Sequence, residues 1–227
     1  MSKFPILVAL GLALVLSLVS PPVLAQGLPG MGRGMVSAGG RVMIDRAAGA
    51  AERRAILARI KAAEAGIAKA FGARRSAPQW QVCTTPACDR ANGMTSRAMS
   101  YGALLVTISS KAVADDKTYL HEHVHAELAS ALPFAIGAAS RLPNWFDEGL
   151  ATVISRSAGY PAKRRADCAG VAQMPLPKTR ADFVRLSRAS GAGPVYMRSA
   201  CAVLDWLDKG RSPADARARL ARGGRLP

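Results

Sequence analysis

The chain has 227 residues, half of them hydrophobic, with 31 Lys and Arg against 15 Asp and Glu and a net charge of +16. That length suits one domain with a sizeable core, and the large share of Ala among the hydrophobic residues points to a mainly helical one. The basic residues are scattered, with short runs at Arg53-Arg54, Arg74-Arg75 and residues 163–165, and no nucleic-acid-binding motif accompanies them. The charge therefore argues only for weak association with anionic surfaces, such as lipid head groups or cell-wall polymers. The alternative reading is compositional, since joint enrichment in Ala and Arg is what a GC-rich genome alone produces.

The first elements concern export. Lys3 precedes an apolar run over residues 4–20, Pro21-Pro22 breaks it, and Val23-Leu24-Ala25 stands before Gln26. This is the pattern of a secretory signal peptide over residues 1–25, which predicts a periplasmic or secreted protein. The alternative is an uncleaved anchor, although the run falls short of the about 20 residues a bilayer span needs. No Cys follows the run, which argues against a lipoprotein. No second long apolar run exists, so no stable membrane span is expected after cleavage. Residues 26–43 are Gly-rich without periodicity and read as a flexible linker, leaving 44–227 as the folded domain.

The spacing of Ile56, Ile60, Ala63, Ile67 and Phe71 predicts a helix over 45–71, with Asp45 as its N-cap. Residues 78–84 read as extended. The four cysteines, Cys83, Cys88, Cys168 and Cys201, are an even number in an exported chain, which predicts two disulfides. A Pro-containing TTPA turn between Cys83 and Cys88 favours their pairing and leaves Cys168 with Cys201. Residues 101–109 are rich in β-formers and predict a strand. Asp115-Asp116 open a helix expected to run to about Leu132, and another is expected over 143–155. Two more follow Gly193-Pro194 and Ser212-Pro213, each with Pro near the first helical position.

All three histidines of the chain lie in one helical stretch, His121-Glu122-His123-Val124-His125. At about 100° and 1.5 Å per residue, His121 and His125 share a face one turn apart and can point at one metal ion. Glu122 flanks that face, within reach of a water there. His123 faces away and reads as a packed or surface residue. A catalytic zinc takes three protein ligands, and no fourth histidine exists to complete the set. The metzincin continuation is absent, since Leu128 and Ala131 occupy the places of its Gly and His. A carboxylate from the next helix remains, and LPNWFDEGLAT offers two, Asp147 and Glu148. Helix phase does not choose between them.

HExxH followed by P-x-W-F-x-E-G-x-A resembles the gluzincins, the thermolysin-like zinc metallopeptidases, and in particular their small peptidase-MA-like branch. The resemblance covers about residues 104–207. It implies an α+β, mainly helical zincin-like fold with a small sheet whose edge strand flanks the zinc, a place that falls to residues 101–109. It implies one Zn²⁺ held by His121, His125 and Glu148, with Trp145 and Phe146 packing the second helix under the first and Gly149 and Ala151 allowing close approach. It implies peptide-bond hydrolysis by a zinc-activated water with Glu122 as general base, on a peptide or protein substrate of the cell envelope. Thermolysin-like enzymes often place a His opposite the zinc to stabilise the developing oxyanion. No His is spare here, and the family pattern puts Tyr196 in that role, with Tyr160 as the alternative. A non-catalytic zinc-binding envelope protein that retains the fold is the competing expectation.

Overall fold

The computed structural model describes residues 32–132, 141–156 and 166–227. The expected signal peptide, Tyr160 and the basic run at 163–165 lie outside the described residues. The described residues form a mixed α+β, mainly helical structure with a five-stranded sheet.

The described part of the Gly-rich segment is not a linker. Met35–Ser37 (β1) and Val42–Asp45 (β2) form an antiparallel hairpin. Gly39 and Gly40 turn it, at φ +99° and +56°, values that residues with a Cβ rarely adopt. Glycine here serves a turn, and Met35 and Ile44 are buried on either side of it. The helix that follows, Ala50–Phe71 (α1), starts five residues later than expected and is capped by Gly49. Asp45 instead closes β2: its carboxylate accepts hydrogen bonds from Ala47 N, Thr84 N and the hydroxyls of Thr84 and Thr85. The buried stripe of α1 is Ile56, Ile60, Ala63, Ile67 and Phe71, the apolar positions read from the spacing.

Gln79–Val82 (β3) runs parallel to β2, and Leu105–Ile108 (β5) runs parallel to β3. Pro86–Ala91 (α2) and Ala98–Tyr101 (β4) come between them in sequence. The sheet order is β1-β2-β3-β5-β4, so β4 forms one edge, antiparallel to β5. The expected edge strand over 101–109 is therefore corrected. Tyr101 ends β4, the chain turns at Gly102 (φ +59°), and β5 lies inside the sheet with all four residues buried. The apolar run LVTI is that of a strand covered on both faces and paired on both sides, whereas the half-buried β4 is the edge strand among the described residues.

Asp116–Ala129 (α3) is capped by Asp115, whose carboxylate accepts from Lys117 N, and ends three residues before Leu132. Asn144–Ser155 (α4), Ala166–Ala169 (α5), Arg180–Ser190 (α6), Ala192–Leu207 (α7) and Pro213–Ala221 (α8) follow. Helix α6 was not expected from periodicity. Its signal is the capping box Thr179/Asp182, repeated as Ser212/Asp215 at the start of α8.

Helix α3 lies between two cores. Tyr119 and Ala126 join the cluster formed by the sheet and the first half of α1. Val124 and Leu128 join the helical cluster built on Phe146, Leu150, Ala200 and Val203. Within the latter, α4 crosses α7 so closely that a Cβ on Gly149 would stand 2.5 Å from Ser199 O. Only glycine fits there, and the contact fixes how far α4 enters the core. The disulfides Cys83–Cys88 and Cys168–Cys201 form as expected, the second tying α5 to α7. Among the described residues no helix is long and apolar enough to cross a membrane.

Candidate metal centre

One turn of α3 separates His121 from His125, and their rings meet edge to face with centroids 4.8 Å apart. Helix α4 brings Glu148 against both. Its Oε2 lies 3.4 Å from His121 Nε2 and 3.5 Å from His125 Nε2. The three ligand atoms fall within 4.8 Å of one another, so the group can hold a metal ion. The fit can be tested on those distances. Bonds of about 2.0–2.1 Å in a tetrahedral arrangement place ligand atoms about 3.3–3.4 Å apart; both nitrogen–oxygen edges match, and the histidine–histidine edge, within 4.8 Å, is wider.

The neighbours orient these ligands. His125 Nδ1 donates to Asp147 Oδ1 at 2.7 Å, which turns Nε2 toward the shared point. Of the two adjacent carboxylates left open by helix phase, Glu148 faces the imidazole nitrogens and Asp147 anchors one ring from behind. Arg180, at the start of α6, donates to Glu148 Oε1 at 3.2 Å and so leaves Oε2 to the metal position. No sequence pattern pointed to Arg180, because its contact depends on how α6 folds back over α4.

Electrostatics follow from burial and from this crowding of carboxylates. Burial pushes the Glu122 carboxyl above its ordinary value, and the nearby His125 and His121 only partly offset it. For Glu148, burial is outweighed by His125 and His121, and its pKa falls well below the usual carboxylate range. For His125, burial opposes the charged form, but Asp147 and Glu148 win and raise its pKa well above 6.5.

The three ligands and Glu122 open into a cleft of about 820 Å³. One wall is β4 with the residues before it, from Ser96 to Ser100; the other is Asn144, Asp147, Glu148, Arg180 and Tyr196. The Tyr196 ring sits 6.1 Å from that of His121 and packs on Phe183 at 4.9 Å. Burial, reinforced by Glu148, raises the Tyr196 pKa, so its hydroxyl remains a hydrogen-bond donor. His123 points the other way. It is fully buried, with its ring 5.5 Å from Trp80 and its Nε2 3.1 Å from Ser76 Oγ. Compared with known proteins, the chain matches no family model, no curated protein and no solved structure.

Proposed function

We propose that the protein is an exported zinc metallopeptidase of the gluzincin kind, with a zincin-like fold. The observation that carries the reading is the convergence of His121, His125 and Glu148 on one point, with Glu122 beside it in an open cleft. Two imidazoles and one carboxylate suit zinc, and leave a coordination position open. The two disulfides fit the oxidising compartment that the signal-like N-terminus leads to, the periplasm or the exterior.

A bound zinc ion supplies Lewis-acid activation of a water and of the scissile carbonyl. The chain's own residues do the rest. The edge strand β4, which lines the cleft, offers backbone groups to an extended peptide, which adds to the sheet as a further strand. Glu122, with its raised pKa, accepts a proton from the attacking water and passes it to the leaving amine. Tyr196 donates a hydrogen bond to the oxygen on which negative charge develops. The substrate is a peptide or protein of the cell envelope.

The test is digestion of a peptide library by zinc-loaded wild type and by Glu122→Gln at equal zinc content. The amide keeps the shape of the side chain but cannot accept the proton. Turnover should fall about 10²- to 10⁴-fold while zinc is retained. Equal cleavage by both proteins removes Glu122 as the base. No cleavage by wild type across a broad library favours a non-catalytic zinc-binding protein.

A further inference from the structure

Arginines continue the cleft along α6. Arg180 lines both the cleft and a second, shallower groove of about 770 Å³, walled by Ala181, Val184, Arg185, Arg188 and Ala189. Helical spacing explains the lining. Residues 180, 184 and 188 form one row and 181, 185 and 189 the next. The small side chains at 181 and 189 leave room between the long arginine stems. Val184 is 37% exposed and adds an apolar contact. The guanidinium groups of Arg180 and Arg185 lie in the open, with side chains 63% and 68% exposed.

Arg180 and Arg185 each meet one carboxylate, which leaves most of their donors open to the groove. Asp182 is the one carboxylate on α6, and both of its oxygens are engaged, Oδ1 by Arg185 and Oδ2 by Thr179. Glu148 holds Arg180 through Oε1. Among the described residues no carboxylate pairs with Arg188. From Arg180 to Arg188 the helix rises about 12 Å, the reach of three or four residues of extended chain.

We infer that this groove receives acidic residues of the substrate, so that the enzyme selects polypeptides carrying Glu or Asp a few residues from the bond it cuts. The inference rests on the metallopeptidase reading. A peptide fits better than a phosphate polymer because the groove joins the cleft at Arg180 and because Val184 and the two alanines offer apolar contacts between the charges. Arginine pairs with carboxylates through two parallel hydrogen bonds.

The experiment measures binding separately from turnover. Zinc-loaded Glu122→Gln is titrated into fluorescent ten-residue peptides that carry two Glu near one end or the other, each matched by a peptide with two Gln. One of the Glu peptides should bind about three- to tenfold tighter than its Gln counterpart, the scale of a few exposed charge pairs. The advantage should shrink as salt is raised. It should vanish in the same protein carrying R185E and R188E, while the Gln peptides bind as before. Equal affinity for Glu and Gln peptides, no binding of either, or a preference that survives the charge reversal overturns the inference. So does a groove that binds polyphosphate, in an R185E/R188E-sensitive way, without favouring Glu. Library cleavage by wild type is read apart. Cleavage with no acidic preference sinks the groove alone. Acidic preference without cleavage sinks the peptidase reading and leaves the groove as a site for acidic peptides.

Discussion

The two faces of helix α3 carry the same residue types under opposite conditions. On the face toward α4, His121, Glu122 and His125 border open space, and Glu148 and Asp147 supply negative charge. On the face toward the sheet and α8, His123 and Glu127 are fully buried. Glu127 is saturated by protein donors: the backbone N–H groups of Arg75 and Ser76, the Ser76 hydroxyl at 2.7 Å, and Arg217 from α8. Arg217 also donates to Phe71 O and Ala73 O, which ties the C-terminal helix to the end of α1. Because Ser76 gives its proton to Glu127, His123 Nε2 must donate to Ser76 Oγ. That tautomer is neutral, and burial holds the His123 pKa down at about 4. A Glu whose oxygens are all satisfied internally braces the helix. A Glu such as Glu148, with one oxygen aimed at two imidazole nitrogens, can hold an ion.

The strongest way to break this comparison is to exchange the behaviour of the two faces. Glu148→Ala should abolish stoichiometric metal retention through dialysis, whereas His123→Gln should keep about one ion per chain. Metal analysis of both proteins decides it, and loss of the ion from His123→Gln would erase the distinction between the faces. The next largest effect belongs to the rear. Arg217→Met strands the Glu127 charge in the core and should cost about 3–5 kcal/mol of unfolding free energy, read by urea denaturation. Adding Glu127→Leu should recover much of that loss, because the uncompensated charge goes with it. Metal content of the folded fraction should not change in either variant.

A third prediction sharpens the comparison through pH. The folded pKa of His123, about 4, is depressed below its unfolded value near 6.5. Between those values the unfolded chain binds more protons, so the contribution present above pH 6.5 is lost as pH falls, and the loss is complete below about pH 4. At about 1.4 kcal/mol per unit the loss reaches up to about 3 kcal/mol. His123→Gln should flatten the stability profile across that window relative to wild type; parallel profiles would show that His123 does not titrate there. The smallest effect concerns Arg180. Arg180→Ala frees Glu148 Oε1 and should weaken metal binding about tenfold, about 1.4 kcal/mol, in competition with a chelator. Unchanged affinity would remove Arg180 from the support of the ligand set.

Much of α3 was legible in the sequence. A four-residue spacing fixes two histidines on one face whatever surrounds the helix, and the same argument turns His123 away from them. The stripe on α1 was legible for the same reason, as was the pairing of cysteines five residues apart around a proline. The failures share a cause as well. Glycines read as a linker became a hairpin because pairing with β3 supplies what local composition lacks. The edge strand moved from 101–109 to Ala98–Tyr101 because the more apolar run is drawn to the interior of the sheet.

By itself, then, the sequence determined what repeats within a turn or two of helix: the paired histidines, the adjacent Glu122 and the apolar stripe of α1. Tertiary structure decided everything that depends on one element meeting another. It set Glu148 against the imidazoles and Asp147 behind one of them, although both stand side by side on α4. It brought Arg180 onto Glu148 from 32 residues away and Arg217 onto Glu127 from 90. Local backbone geometry fixes directions only within an element. The distance between elements is set by packing, as where Gly149 lets α4 close onto α7 beside Glu148, which meets the two imidazoles.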